Sequence, residues 1–109
     1  MRNYPSEAET TRAIRGMLKS MQIFHWKVMQ GLGSTPGVAD IIGIYNGKPL
    51  AIEVKTKIGK LSEHQRKFGA RWKMEGGIFI EARSVDDVID GLGLRDRFIM
   101  PKKQAPGSN

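Results

Sequence analysis

The sequence predicts an α/β or α+β domain in which helices lie on a central mixed sheet. Three observations carry that expectation. Helical stripes of apolar residues, opened by Ser6 and Ser62, bracket three segments rich in β-forming residues. The dipeptide Asn46-Gly47 stands between two of those segments and signals a tight hairpin. The resulting order, α-β-β-β-α-β-α, alternates layers rather than segregating them. A length of 109 residues suits one domain with a modest core. The domain is expected over residues 1–100, with a loose, basic tail over 101–109 (PKKQAPGSN).

The first helix opens at Ser6, with Glu7 and Glu9 in its first turn, where the helix dipole favours acids. Thr11, Ile14, Leu18 and Met21 form its inward stripe, and Glu7 extends that stripe. Residues 22–29 (QIFHWKVM) alternate and predict a strand. Residues 30–37 (QGLGSTPG) hold three glycines and a proline and predict a loop. They are not a phosphate-binding P-loop, because the Lys-Ser/Thr ending is missing. This loop either lets the backbone pass close to DNA or simply connects strands.

Residues 38–45 (VADIIGIY) and 48–56 (KPLAIEVKT) predict two strands joined by a type I′ turn. Residues 57–61 form a basic loop. Ser62 and Gln65 have capping-box spacing and open a second helix, whose Leu61–Gln65–Phe68–Trp72 face is inward. Gly76-Gly77 stops it. A fourth strand spans 77–82, and Ser84 caps a third helix running to about Leu92. Apolar residues within 91–100 (GLGLRDRFIM) look exposed and are a candidate dimer contact. Both sheet faces are expected to be covered, with Trp26 and Trp72 in the core.

Lys and Arg number 18 against 11 acids, giving a net charge of +7 and a pI near 10.0. Such a balance points to a polyanionic partner, nucleic acid first and an anionic membrane surface second. A merely soluble basic protein is the plain alternative. The absence of cysteine excludes disulfides, thiolate metal sites and a Cys nucleophile. No apolar run approaches the roughly 20 residues of a membrane span, and the first twelve residues lack a signal-peptide core. A soluble, cytoplasmic protein is expected.

The hairpin allows a register to be computed. A two-residue loop pairs Tyr45 with Lys48, and the same ladder sets Asp40 opposite Glu53 at a close, non-hydrogen-bonded position. Two opposed carboxylates repel unless a positive group stands between them. A divalent cation resolves the conflict. Lys55, two residues beyond Glu53, points to the same face and could orient a water or stabilise phosphate charge. The competing reading is an ordinary ion pair of Lys55 with Glu53 or Asp40.

Glu7 in the first helix, the Gly-rich loop, GVADIIGIY, LAIEVK and LSEHQ together resemble the PD-(D/E)XK nuclease superfamily. Within it they look most like the stand-alone virus-type replication-repair (VRR-Nuc) nuclease domain. The resemblance covers about Glu7 to Val88. An E-x-K triplet alone is weak; the ordered set Glu7, Asp40, Glu53-Val54-Lys55 and Gln65 is much more specific. Ala39 stands where the family name has proline, a position that carries no chemistry.

The resemblance implies a restriction-endonuclease-like α-β-β-β-α-β core and a Mg²⁺- or Mn²⁺-dependent endodeoxyribonuclease active in DNA repair. Asp40, Glu53 and the Val54 carbonyl would ligate the metal, and Lys55 would act on the attacking water. Glu7 would reach the metal through water, with Glu9 as the other candidate helix acid. Gln65 would approach from the second helix, or else serve only its capping box. Similar single-domain relatives are homodimers that cut Holliday junctions; a flap or other branched-DNA nuclease, or a non-catalytic DNA-binding module, are the alternatives.

Lys57, Lys60, Arg66 and Lys67 cluster in sequence near the site, and Arg12, Arg15 and Lys19 lie on the first helix. They are candidate phosphate contacts that position DNA without reading its sequence. His25 and His64 lack zinc-ligand spacing. His25 is expected to be structural and His64 to lie at the surface or face DNA.

Overall fold

A computed structural model describes residues 4–31 and 35–97. The expected tail at 101–109 and the apolar residues at 98–100 lie outside the described residues. The chain forms a small α/β domain with a four-stranded mixed sheet. In order, the elements are α1 (Glu7–Ser20), β1 (His25–Lys27), β2 (Ile41–Tyr45), β3 (Lys48–Val54), α2 (Glu63–Met74), β4 (Ile78–Ala82), α3 (Val85–Gly91) and a one-turn α4 (Leu94–Arg97). No helix among the described residues is long and apolar enough to cross a membrane.

The sheet order is β1-β2-β3-β4. The first three strands are antiparallel, and β4 runs parallel to β3 after the α2 crossover. Asn46 and Gly47 both adopt positive φ, 52° and 77°, as a type I′ turn requires. That turn fixes Tyr45 against Lys48 and Ile41 against Ile52, the register computed from the loop length.

Both long helices begin with complete capping boxes. Ser6 pairs reciprocally with Glu9, and Ser62 with Gln65. On one sheet face, Ile14 and Leu18 of α1 and Val88 and Ile89 of α3 bury Ile41, Leu50, Ile52, Val54, Ile80 and Ala82. Leu92 and Leu94 join this core, 8% and 1% exposed. They are therefore interior residues, not the exposed contact their sequence suggested. Arg95 holds α4 down by bonding Asp86 and Asp90.

On the other face α2 packs over β3 and β4. The expectation that both faces are covered fails over β1 and β2. Phe24, Trp26 and Ile44 are 66%, 44% and 50% exposed there, so Trp26 is not a core residue. The physical reason is width: one helix spans only about two strands of a sheet. Trp72 is half-buried and donates its indole N–H to the Pro49 carbonyl at 3.3 Å.

Strand ends also differ from expectation. The predicted strand at 22–29 shrinks to β1, because Gln22 takes a left-handed φ of 58° at the end of α1 and Ile23 bonds back to Leu18. The expected strand from Val38 begins only at Ile41, for a reason that lies in the site.

Candidate active site

Continuing the β2–β3 ladder past Ile41–Ile52 would send the Val54 N–H to the carbonyl of Ala39. Asp40 intervenes. Its Oδ2 accepts that N–H at 2.8 Å, and its own carbonyl accepts from Val28 at 2.8 Å. A side-chain carboxylate thus substitutes for the next backbone acceptor, the regular strand stops, and Asp40 is fixed beside the last residues of β3.

Glu53 lies on the α2 face of β3 and is only 3% exposed. Gln65 Nε2 donates to its Oε2 at 2.9 Å, and Lys55 Nζ lies 3.6 Å from the same oxygen. Among the described residues, its buried Oε1 accepts no hydrogen bond. Burial pushes the Glu53 carboxyl from 4.5 up to about 8. The charge of Asp40 adds to the rise and Lys55 opposes it; the bond that a protonated Glu53 donates to Asp40 and the charge of Glu7 add further.

Gln65 makes two contacts with one amide, so it does more than close its capping box. Its Oε1 accepts from the Ser62 N–H at 2.8 Å to close the capping box, while its Nε2 reaches Glu53. The first turn of α2 is thereby tied to the acid. Glu9 Oε1 is engaged by the Ser6 N–H at 2.8 Å. Glu7, not Glu9, lines the cleft that contains Asp40, Glu53, Lys55 and Gln65. This open cleft has a volume of about 360 Å³ and is also bounded by Gly37, Ser62 and His64.

The loop before β2 comes close to α2 at Gly37, whose φ is 79°. A Cβ there would collide with the His64 carbonyl. The close approach this glycine permits is to the first turn of α2, within the protein itself.

The basic residues are less concentrated than the sequence suggested. Lys57, Lys60, Arg66 and Lys67 are exposed but do not line the cleft. Lys67 pairs with Glu63 at 3.4 Å, and Arg66 donates to the Leu61 carbonyl at 3.1 Å. Arg12 and Arg15 are exposed on α1, also away from the cleft lining. His25 is structural, with Nδ1 2.8 Å from the Ile23 carbonyl, and exposed His64 borders the cleft.

One residue was not anticipated. Arg83, just past β4, contacts the Gly59 carbonyl and pairs with Glu81 at 2.7 Å, so it anchors the Lys57–Lys60 loop. Glu81 is a local partner two residues away, but the Gly59 contact depends on the crossover, which no local pattern specifies.

Among the described residues, no three His, Cys, Asp or Glu side chains converge at metal-ligand spacing. Two adjacent carboxylates, with a third acid on the cleft wall, nevertheless suit Mg²⁺, which binds through one or two carboxylates and keeps most of its water. Oε1 of Glu53 would be an oxygen donor for such an ion. The all-oxygen donor set favours a hard cation over a thiophilic one. Compared with protein-family models, curated proteins and solved structures, the chain has no match.

Proposed function

We propose that this chain is a metal-dependent nuclease that hydrolyses DNA phosphodiesters, with a restriction-endonuclease-like core. The observation that carries the reading is Glu53: a buried acid, one oxygen accepting no hydrogen bond among the described residues, its pKa raised to about 8, beside Asp40 and Lys55 in an open cleft. An acid kept there at a cost to the fold marks a functional position. The resemblance to PD-(D/E)XK nucleases supports the same residues.

Asp40, Glu53 and the Val54 carbonyl would hold Mg²⁺ or Mn²⁺, with Glu7 contributing from the cleft wall. When bound, the ion supplies Lewis-acid polarisation of a phosphoryl oxygen and lowers the pKa of water. Gln65 fixes the Glu53 carboxylate through Oε2, which leaves Oε1 for the ion. Lys55, its side chain 14% exposed, keeps a cation at the base of the cleft, where it stabilises charge developing on a phosphate and orients the attacking water. The +7 chain as a whole attracts DNA, and among the described residues Lys55 is the cation that lines the cleft.

The substrate we favour is branched DNA cut in the manner of a Holliday-junction resolvase, by a homodimer whose two-fold axis presents two sites. Four-way junction, flap and linear DNAs, each incubated with Mg²⁺, Mn²⁺ or EDTA, test this. Junction cutting that needs metal and falls at least about 100-fold in Lys55→Ala is expected. Equal cutting of all three DNAs removes the resolvase assignment. Activity that survives Lys55→Ala and Glu53→Ala removes the enzyme reading.

A further inference from the structure

The sheet face that carries Glu53 holds a second hollow one step along α2. Its walls are Pro36, Pro49, Phe68 and Trp72, and Lys67 and Arg71 stand at its rim. Phe68 and Trp72 stack on each other with centroids 5.2 Å apart. At about 460 Å³ the hollow is within the 300–1,000 Å³ typical of small-ligand pockets. Pro36 and His64 line both this hollow and the catalytic cleft, so the two cavities share a wall. Pro49 precedes Glu53 by four strand residues, which separates them by roughly 13 Å.

We infer that this hollow takes one unpaired nucleobase of the DNA strand whose phosphate occupies the cleft, an inference that rests on the nuclease reading. Aromatic and proline surfaces accept any base by its flat face, because stacking does not depend on sequence. The partner must also be anionic. The chain carries a net +7, and Lys67 and Arg71 are exposed at the rim. Their ion pairs with Glu63 and Glu75, at 3.4 and 2.8 Å, are surface pairs that hold little energy and can yield to phosphate. A strand lying in the cleft passes the shared Pro36–His64 wall, where a base unstacked at a branch point can enter. Continuous duplex offers no such base, so the hollow selects for DNA with an unpaired nucleotide, or a branch point whose end pair opens, beside the cut.

The test uses wild-type protein in EDTA, so that binding is read without cleavage. Fluorescence anisotropy compares three duplexes: fully paired, with one unpaired nucleotide, and with an abasic residue at that unpaired position. The unpaired base should strengthen binding by roughly 5- to 150-fold, and the abasic residue should abolish that gain. A 2-aminopurine at the same position should be quenched by wild type and by Trp26→Phe, but not by Trp72→Leu. Equal affinity for the base and its abasic counterpart overturns the inference, and needs no protein variant. So does a concentration-dependent dimer that Trp72→Leu dissociates, which would assign the hollow to a second copy of the chain. Loss of cleavage in the metal-dependent assay bears on the nuclease reading alone, since these measurements contain no metal.

Discussion

Glu53→Gln should make the metal-free protein more stable above neutral pH, and the size of the gain follows from the site. In the folded chain Glu53 keeps its proton up to about pH 8, whereas its ordinary value is 4.5. Between those values the folded state binds more protons than the unfolded one. The stability from this group is therefore complete below about pH 4.5 and is lost as pH rises through about 8. The gap between 4.5 and 8 caps the loss at about 5 kcal/mol. Glutamine keeps the shape of the side chain and can still accept from Gln65, but it carries no charge to desolvate beside Asp40. Thermal melts in EDTA should show the two proteins close together near pH 4.5 and the variant ahead by several kcal/mol at pH 8.5. For a domain of this size that is a difference of about 10 °C or more. Adding Mg²⁺ or Mn²⁺ at pH 8.5 should raise the wild-type melting temperature and leave that of the variant nearly unchanged. A variant that melts below wild type at pH 8.5, or a gap that does not vary with pH, would refute the reasoning.

Gly37→Ala should destabilise by roughly 1–3 kcal/mol in chemical denaturation, because its positive φ and the His64 carbonyl both oppose a Cβ. The same change should loosen the first turn of α2, read as faster amide exchange at Gln65. Gln22→Gly should stabilise by about 0.5–1 kcal/mol, since Gln22 is exposed and holds a left-handed φ of 58° that glycine adopts freely. Leu94→Ala should cost about 2–5 kcal/mol in urea unfolding; a loss below about 1 kcal/mol would detach α4 from the core.

What the sequence made legible depended on whether the rule was local. The hairpin register followed from two residues, because the length of a type I′ loop leaves no other pairing. The Ser62–Gln65 capping box and the Thr11, Ile14 and Leu18 part of the α1 stripe were equally local; Met21, expected on that stripe, caps the end of α1 and is 37% exposed. The expected ladder ran on to pair Asp40 with Glu53, whereas the observed ladder ends at Ile41–Ile52, and the bond from the Val54 amide to Asp40 was not foreseen. Pattern rules assume that backbone groups pair with backbone, and here a carboxylate competes for the donor. The parallel pairing of β3 with β4, and with it the role of Arg83, depends on a crossover whose docking is tertiary. Coverage of the sheet was misjudged because apolar alternation records which residues could be buried, not whether a helix exists to bury them. Phe24, Trp26 and Ile44 carry a core-like pattern on a face that α2 does not reach.

The bond from the Val54 amide to Asp40 makes the end of β3 a natural spectroscopic reporter. That proton sits between the backbone of the sheet and one of the two acids, so its chemical shift should respond to the charge gathered at the acid pair. Loss of the Glu53 proton as pH rises through about 8 adds negative charge beside that acceptor and should move the resonance. A cation drawing on the same oxygens should shift it along a different path. A single peak in a two-dimensional amide spectrum, followed against pH and against added metal, then separates proton from cation at the acid pair, with no cleavage and no altered residue.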